Sequence, residues 1–239
     1  MRAFRGWLAG LLVIASPAGS NGDAADDAAL REERSRCAVA ASRAVQDRYE
    51  SVEDLSARFE QRTRSVALGV GSAAESTESS GRVFFAKPGR MRWEYETPRP
   101  SLVVSDGAVM WLFDPDSREA QRLRVTGSYL TGAALSFLLG TGQLEDEFLV
   151  TADECTAAIA RLVLTPRKEA SYERLGLEVS RENGEVRSTA IHDLFGNVTE
   201  VAFTDLETNG SPPVSTFQFE PPAGTRVIDL ANEGPLPTR

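Results

Sequence analysis

Histidine is nearly missing from this sequence: His192 stands alone among 239 residues, and cysteine occurs twice, at Cys37 and Cys155. That inventory builds no His/Cys zinc site and leaves little for Ser-His or Cys-His catalysis. Cations are also in short supply. With 26 Lys+Arg against 35 Asp+Glu, the net charge is −9. Phosphate affinity needs clustered cations, so no nucleic-acid partner is expected. No apolar run reaches the roughly 18 residues that a membrane-spanning helix needs. What remains is a chain with 41% hydrophobic residues, 26% charged and 8% aromatic, enough to form a core, at a length that suits one domain with trimmings.

The N-terminus indicates export. Arg2 and Arg5 precede the apolar run Trp7 to Ala15, and the small residues Ser16, Ala18, Gly19 and Ser20 follow. A basic start, a short apolar stretch and small residues describe a secretory signal peptide over 1–22, with cleavage between Ala18 and Ala25. Its removal takes away two arginines and no acids, so the charge becomes −11. In an oxidising compartment, Cys37 and Cys155 read as a disulfide, two free buried thiols being the alternative. Residues 23–35 read as a flexible acidic lead-in, 36–231 as one domain, and 232–239 as a tail.

Cys37, Ala41, Val45 and Tyr49 have helical spacing, which predicts an amphipathic helix over about 36–50. Leu55, Ala57, Phe59 and Gln61 alternate, yet Val52, Leu55 and Phe59 fit a helix almost as well. Residues 66–80 read as a loop rich in small residues. Strand signals then crowd together at 81–87, 91–95, 102–105, 109–113 and 119–125, with Asp106-Gly107 predicting a primed hairpin turn. Leu130, Ala134, Leu135, Leu138 and Leu139 are spaced for a short helix. Strands resume near 148 and continue to 206, with Asn183-Gly184 as another hairpin turn and a last strand over 214–219. About ten strands, two helices and no βαβ alternation predict a curved antiparallel sheet with few helices.

The blocks Phe59-Glu60-Gln61, Lys87-Pro88-Gly89-Arg90-Met91-Arg92-Trp93-Glu94-Tyr95, Val104-Ser105-Asp106-Gly107, Trp111 to Pro115, Gln121 and Phe217 to Thr225 occur in order. In these the sequence resembles the periplasmic outer-membrane lipoprotein carriers, the LolA family, from about Cys37 to Asp229. The resemblance implies a mainly β (α+β) fold: a half-open, strongly curved antiparallel β-barrel covered by a short helical lid. It also makes 55–61 the first strand. The implied protein is no enzyme and needs no cofactor or metal. It is a periplasmic, monomeric chaperone that carries acylated lipoproteins from an inner-membrane ABC transporter to the outer membrane and, where present, an acceptor there.

Alternation together with the resemblance nominates Phe59, Val83, Phe85, Met91, Trp93 and Trp111 as the lining of an acyl-chain cavity. Leu135, Leu138 and Leu139 become the lid. Lys87 stands where many relatives have an arginine that latches the lid by reaching its backbone. A compact ammonium with three donors in place of arginine's five-donor fork implies a lid closed less firmly or differently. Each has a plainer reading: aromatic residues filling a closed core, leucines on a permanently packed helix, a solvated lysine. Asp106, Asp114 and Asp116 read as turn formers and His192 as a surface strand residue. Two rivals stand beside the carrier: a barrel of the same type that carries another lipid or senses lipoproteins or envelope stress, and a secreted two-carboxylate hydrolase, for which no converging acid pair is nominated.

Overall fold

The computed structural model describes residues 21–66, 75–125 and 143–231, the side chains of 21–25 and of Glu75 excepted. Most of the expected signal peptide, the lid candidates Leu135, Leu138 and Leu139, and the tail 232–239 lie outside the described residues.

Helix α1 spans Asn21–Glu50, and the chain divides within it into two compact units, one ending at Glu33 and one beginning at Arg34. In the first, the expected flexible lead-in is helical. Ala28, Ala29, Leu30, Arg31, Glu32 and Glu33 are strong helix formers, so propensity carries these exposed turns without a buried face. The Asp27–Arg31 pair, at 3.9 Å and exposed, adds little.

In the second unit, Cys37, Ala38, Ala41, Val45 and Tyr49 form the buried stripe of α1. The sheet is built from β1 (Asp54–Ser65), β2 (Glu75–Ala86), β3 (Arg90–Thr97), β4 (Ser101–Ser105), β5 (Val109–Asp114), β6 (Glu119–Arg124), β7 (Phe148–Cys155), β8 (Ile159–Pro166), β9 (Tyr172–Ser180), β10 (Val186–Asp193), β11 (Val198–Thr208) and β12 (Arg226–Asp229). A one-turn helix, α2 (Leu144–Glu147), precedes β7. The strand order β12-β6-β5-β4-β3-β2-β1-β11-β10-β9-β8-β7 leaves β12 and β7 as edges, so the sheet is curved and open rather than closed. All pairs are antiparallel except β12 with β6, which run parallel.

Three expectations are corrected. Strand β2 starts at Glu75 rather than 81, because cross-strand pairing carries a polar sequence: Arg62 holds Glu78 at 2.7 Å and Ser80 bonds Thr97 at 2.7 Å. The expected last strand is a 3-10 turn over Val214–Phe217 that follows Pro212-Pro213, where proline supplies no ladder donor. At Asp106-Gly107 and Asn183-Gly184 only the glycines have positive φ, +97° and +70°. Neither is therefore a type I′ turn, which needs both residues there.

One sheet face packs on residues 34–50 of α1. Leu162, Leu164, Leu175, Leu177, Val179 and Val186 supply its β8–β10 part, and Leu55, Ala57, Phe59, Val83 and Phe85 its β1–β2 part. At roughly 25 cal/mol per Å² of apolar surface, this shared core is the main source of stability. The Cys37–Cys155 disulfide joins α1 to the end of β7 across 118 residues, with Cα atoms 6.4 Å apart.

Candidate functional site

The register fixes which candidate residues meet. Leu55 faces Phe85, Ala57 faces Val83 and Phe59 faces Gly81 across β1 and β2; Val83 faces Trp93, Phe85 faces Met91 and Gly81 faces Tyr95 across β2 and β3. Directly paired residues share a face, so Phe59, Val83, Phe85, Met91 and Trp93 come together on the α1 side. Tyr95 joins them, a residue that the alternation Met91, Trp93, Tyr95 already signals. The rings interlock edge to face: Phe59 lies 4.8 Å from Trp93 and 5.1 Å from Tyr95, and Phe85 lies 5.7 Å from Trp93. Gly81 makes this possible. A Cβ there would overlap the Glu94 carbonyl oxygen and come 3.1 Å from the Phe59 ring.

The cluster is graded in exposure. Phe59, Val83 and Phe85 are fully buried beneath α1, whereas Met91, Trp93 and Tyr95 are half-buried. Continuing outward, Trp93 pairs with Val103 and Val103 with Leu112, both half-buried. The apolar face thus runs from a closed core under α1 to a partly covered surface over β3–β5. Burial lifts the Tyr95 phenol above its ordinary value, and its hydroxyl donates to Gln61 Oε1 at 3.2 Å.

Trp111 is a correction. It pairs with Val104, one residue out of phase with the Trp93–Val103 row, and so points to the opposite face. There it meets Phe219, ring centroids 5.8 Å apart, with the Arg122 guanidinium 5.9 Å from its ring. Phe113 and the buried Phe217, itself under Arg90, complete a second small core that anchors the C-terminal segment.

Lys87 does reach helix backbone. Its Nζ donates to the carbonyls of Tyr49 and Glu50, each at 3.0 Å. These are the last residues of α1, where carbonyls lack intrahelical partners and a cation is favoured. Beside them, the Tyr49 hydroxyl accepts from the Val186 amide at 3.2 Å. Burial raises the Tyr49 pKa, and the Val186 bond and Arg48 pull the other way. The nominated latch thus holds the C-terminal end of α1, and the disulfide holds Cys37, more than three turns earlier.

The remaining polar candidates have structural roles. The Asp114 carboxylate accepts from the amides of Asp116 and Ser117, and these bonds lower its pKa. Asp106 accepts from Ala108 and Val109. No three His, Cys, Asp or Glu side chains gather as a metal cluster among the described residues. On the face away from α1, a groove of about 790 Å³ is lined by Arg62, Arg161, Arg174, Glu78, Glu178 and Glu200 over a floor that includes Gly176 and Ala190. Its ion pairs make it a poor place for hydrocarbon.

The family model "Outer membrane lipoprotein carrier protein LolA" matches residues 50–220. An outer-membrane lipoprotein carrier protein of Dechloromonas aromatica is 30% identical over 185 residues, 77% of this chain and 85% of the relative. One from Nitrosospira multiformis is 33% identical over 151 residues, 63% of this chain and 72% of the relative. A solved LolA superfamily protein from Nitrosomonas europaea is 13% identical, with a TM-score of 0.41, and the match covers 77% of this chain and 98% of the other.

Proposed function

The chain belongs to the LolA family of outer-membrane lipoprotein carriers, a family of carriers rather than enzymes, and from that premise we propose that it works in the periplasm. There it shields the acyl chains of lipoproteins and moves them from an inner-membrane ABC transporter to the outer membrane. The supporting observation is the graded aromatic face of β1–β3 beneath a helix whose C-terminal end is held only by noncovalent contacts, those of Lys87 among them. Acyl chains do not cross water unaided, because each exposed CH₂ costs about 0.8 kcal/mol. A carrier therefore needs an apolar surface that opens and closes.

In this reading, cargo first meets the half-buried Met91, Trp93 and Tyr95 and continues along Val103 and Leu112. Access to Phe59, Val83 and Phe85 requires the C-terminal end of α1 to lift, which breaks the two Lys87 hydrogen bonds, the Tyr49–Val186 bond and the Arg48–Glu185 pair. Leu135, Leu138 and Leu139 are proposed to cover the outer part of the face. The route from one membrane to the other, and any acceptor at its end, belong to the same proposal.

The test is uptake by the purified protein. It should bind an acylated lipoprotein and leave the same lipoprotein without acyl chains in solution. Equal binding of both forms would overturn lipid shielding.

A further inference from the structure

The most exposed large apolar side chain in the described structure lies far from this site. Phe195 is 85% exposed, its neighbour Leu194 is 63% exposed, and both sit on the turn between β10 and β11. Val66, 55% exposed, lies beside the turn, its Cγ2 3.4 Å from where a Cβ on Gly196 would sit. The turn does not need apolar residues. Its shape comes from the Asp193 carboxylate, which accepts from the Phe195 amide at 2.8 Å, the Asn197 amide at 2.9 Å and Asn197 Nδ2 at 2.7 Å. Gly196 supplies the positive φ, +87°, and Asn197 Oδ1 accepts the Val66 amide at 2.9 Å. Two large apolar groups are thus held outward by a preorganised polar frame that gains nothing from them.

Charge around the turn narrows the occupant. Arg64, Val198, His192 and Arg174 form one cross-strand row just behind the apex, through the pairs Arg64–Val198, Val198–His192 and His192–Arg174. Arg64 bonds Glu200 through Nη2, and Arg174 bonds Glu173 and His192 through Nη1 and Nη2. Each guanidinium keeps further N–H donors beyond these contacts. The one acid within the turn, Asp193, is engaged internally. An apolar apex backed by arginines matches the layering of a phospholipid surface, where acyl chains lie beneath phosphates. With Glu200, Glu173 and Asp193 beside the two arginines, the spot carries no net positive charge. The apolar apex therefore supplies the attraction and the spare guanidinium donors the phosphate contacts, against the negative charge of the chain as a whole.

We propose that the β10–β11 turn is a membrane-contact tip: Phe195 and Leu194, with Val66 beside them, enter the apolar edge of a phospholipid bilayer while Arg64 and Arg174 meet its phosphates. The tip works without cargo, so its test is separate from lipoprotein uptake. The cargo-free protein is floated with vesicles of phosphatidylethanolamine containing a minority of phosphatidylglycerol. The wild type should float with the vesicles. Leu194→Asp with Phe195→Asp should lower partitioning about ten-fold or more, since two apolar groups leave the lipid and two charges face it. Arg64→Gln with Arg174→Gln should weaken binding several-fold and flatten its salt dependence. The circular dichroism and urea midpoint of the Asp variant should match the wild type, because neither side chain packs. A wild type that does not float, or an Asp variant that floats equally well, overturns the tip. So does a wild type that dimerises through Phe195 and stays off the vesicles.

Discussion

Gly184 shows how one residue serves two constraints. Its φ of +70° closes the β9–β10 turn, and an added Cβ would overlap the Ala44 carbonyl of α1. Gly224 has a similar φ, +83°, with nothing within 4 Å of a Cβ. Gly184→Ala should therefore destabilise by about 2–4 kcal/mol, strain and overlap combined, and Gly224→Ala by only about 1 kcal/mol. Urea unfolding of both variants checks this; equal midpoints would mean that α1 yields readily at Ala44. The turn at Asn183-Gly184 is legible in sequence because the dipeptide carries it, while the helix contact is a long-range fact that no local pattern contains. Trp111 fails for a related reason. Strand β5 is apolar on both faces, so alternation separates Trp111 from Met110 and Leu112 without saying which set faces α1. Only register through β4 decides that.

The decisive element is α1, pinned at Cys37 by the disulfide and at Tyr49 and Glu50 by Lys87. The anchor at Cys37 is covalent, whereas the C-terminal end is held by noncovalent contacts, the two Lys87 hydrogen bonds together with Tyr49–Val186 and Arg48–Glu185. Any lifting of α1 therefore starts at that end while the Cys37 end stays attached. On the chain-entropy account, closing 118 residues contributes about 4–5 kcal/mol, and measured losses on removing native disulfides run about 2–5 kcal/mol. Cys37→Ser with Cys155→Ser should cost that much in urea unfolding, as should reduction of the wild type. A loss below about 1 kcal/mol would show that helix packing alone positions α1. The helical stripe and the pairing of the two cysteines were legible because spacing and compartment carry them. The start of α1 at Asn21 and of β2 at Glu75 were not, since composition there is dominated by small and polar residues and cross-strand partners decide the extent of β2.

At the scale of the whole molecule, the titrating groups bracket a pH window. The His192 pKa is lowered from 6.5 by burial first and then by Arg174, whose Nη2 lies 3.1 Å from Nδ1, so the folded state prefers the neutral ring. Asp193 is also lowered: burial pushes its pKa up, but hydrogen bonds from Asn197, Phe195 and Gly196 outweigh it. Asp114 is lowered by the Ser117 amide. For each of these the unfolded chain binds protons more readily, so their stabilisation is complete above the unfolded pKa and is lost as pH falls through the folded one. Tyr49 and Tyr95 are raised by burial, so theirs is complete below about pH 10 and is lost as pH rises. Stability should accordingly be flat from about pH 7 to 10. It should fall first below about pH 6.5 through His192, again below about pH 4 through Asp193 and Asp114, and on the alkaline side above about pH 10. Thermal unfolding across that range gives the profile, and His192→Gln should remove the first acid step alone. A profile with no step below pH 6.5, or one that survives in His192→Gln, would place the acid-sensitive group elsewhere.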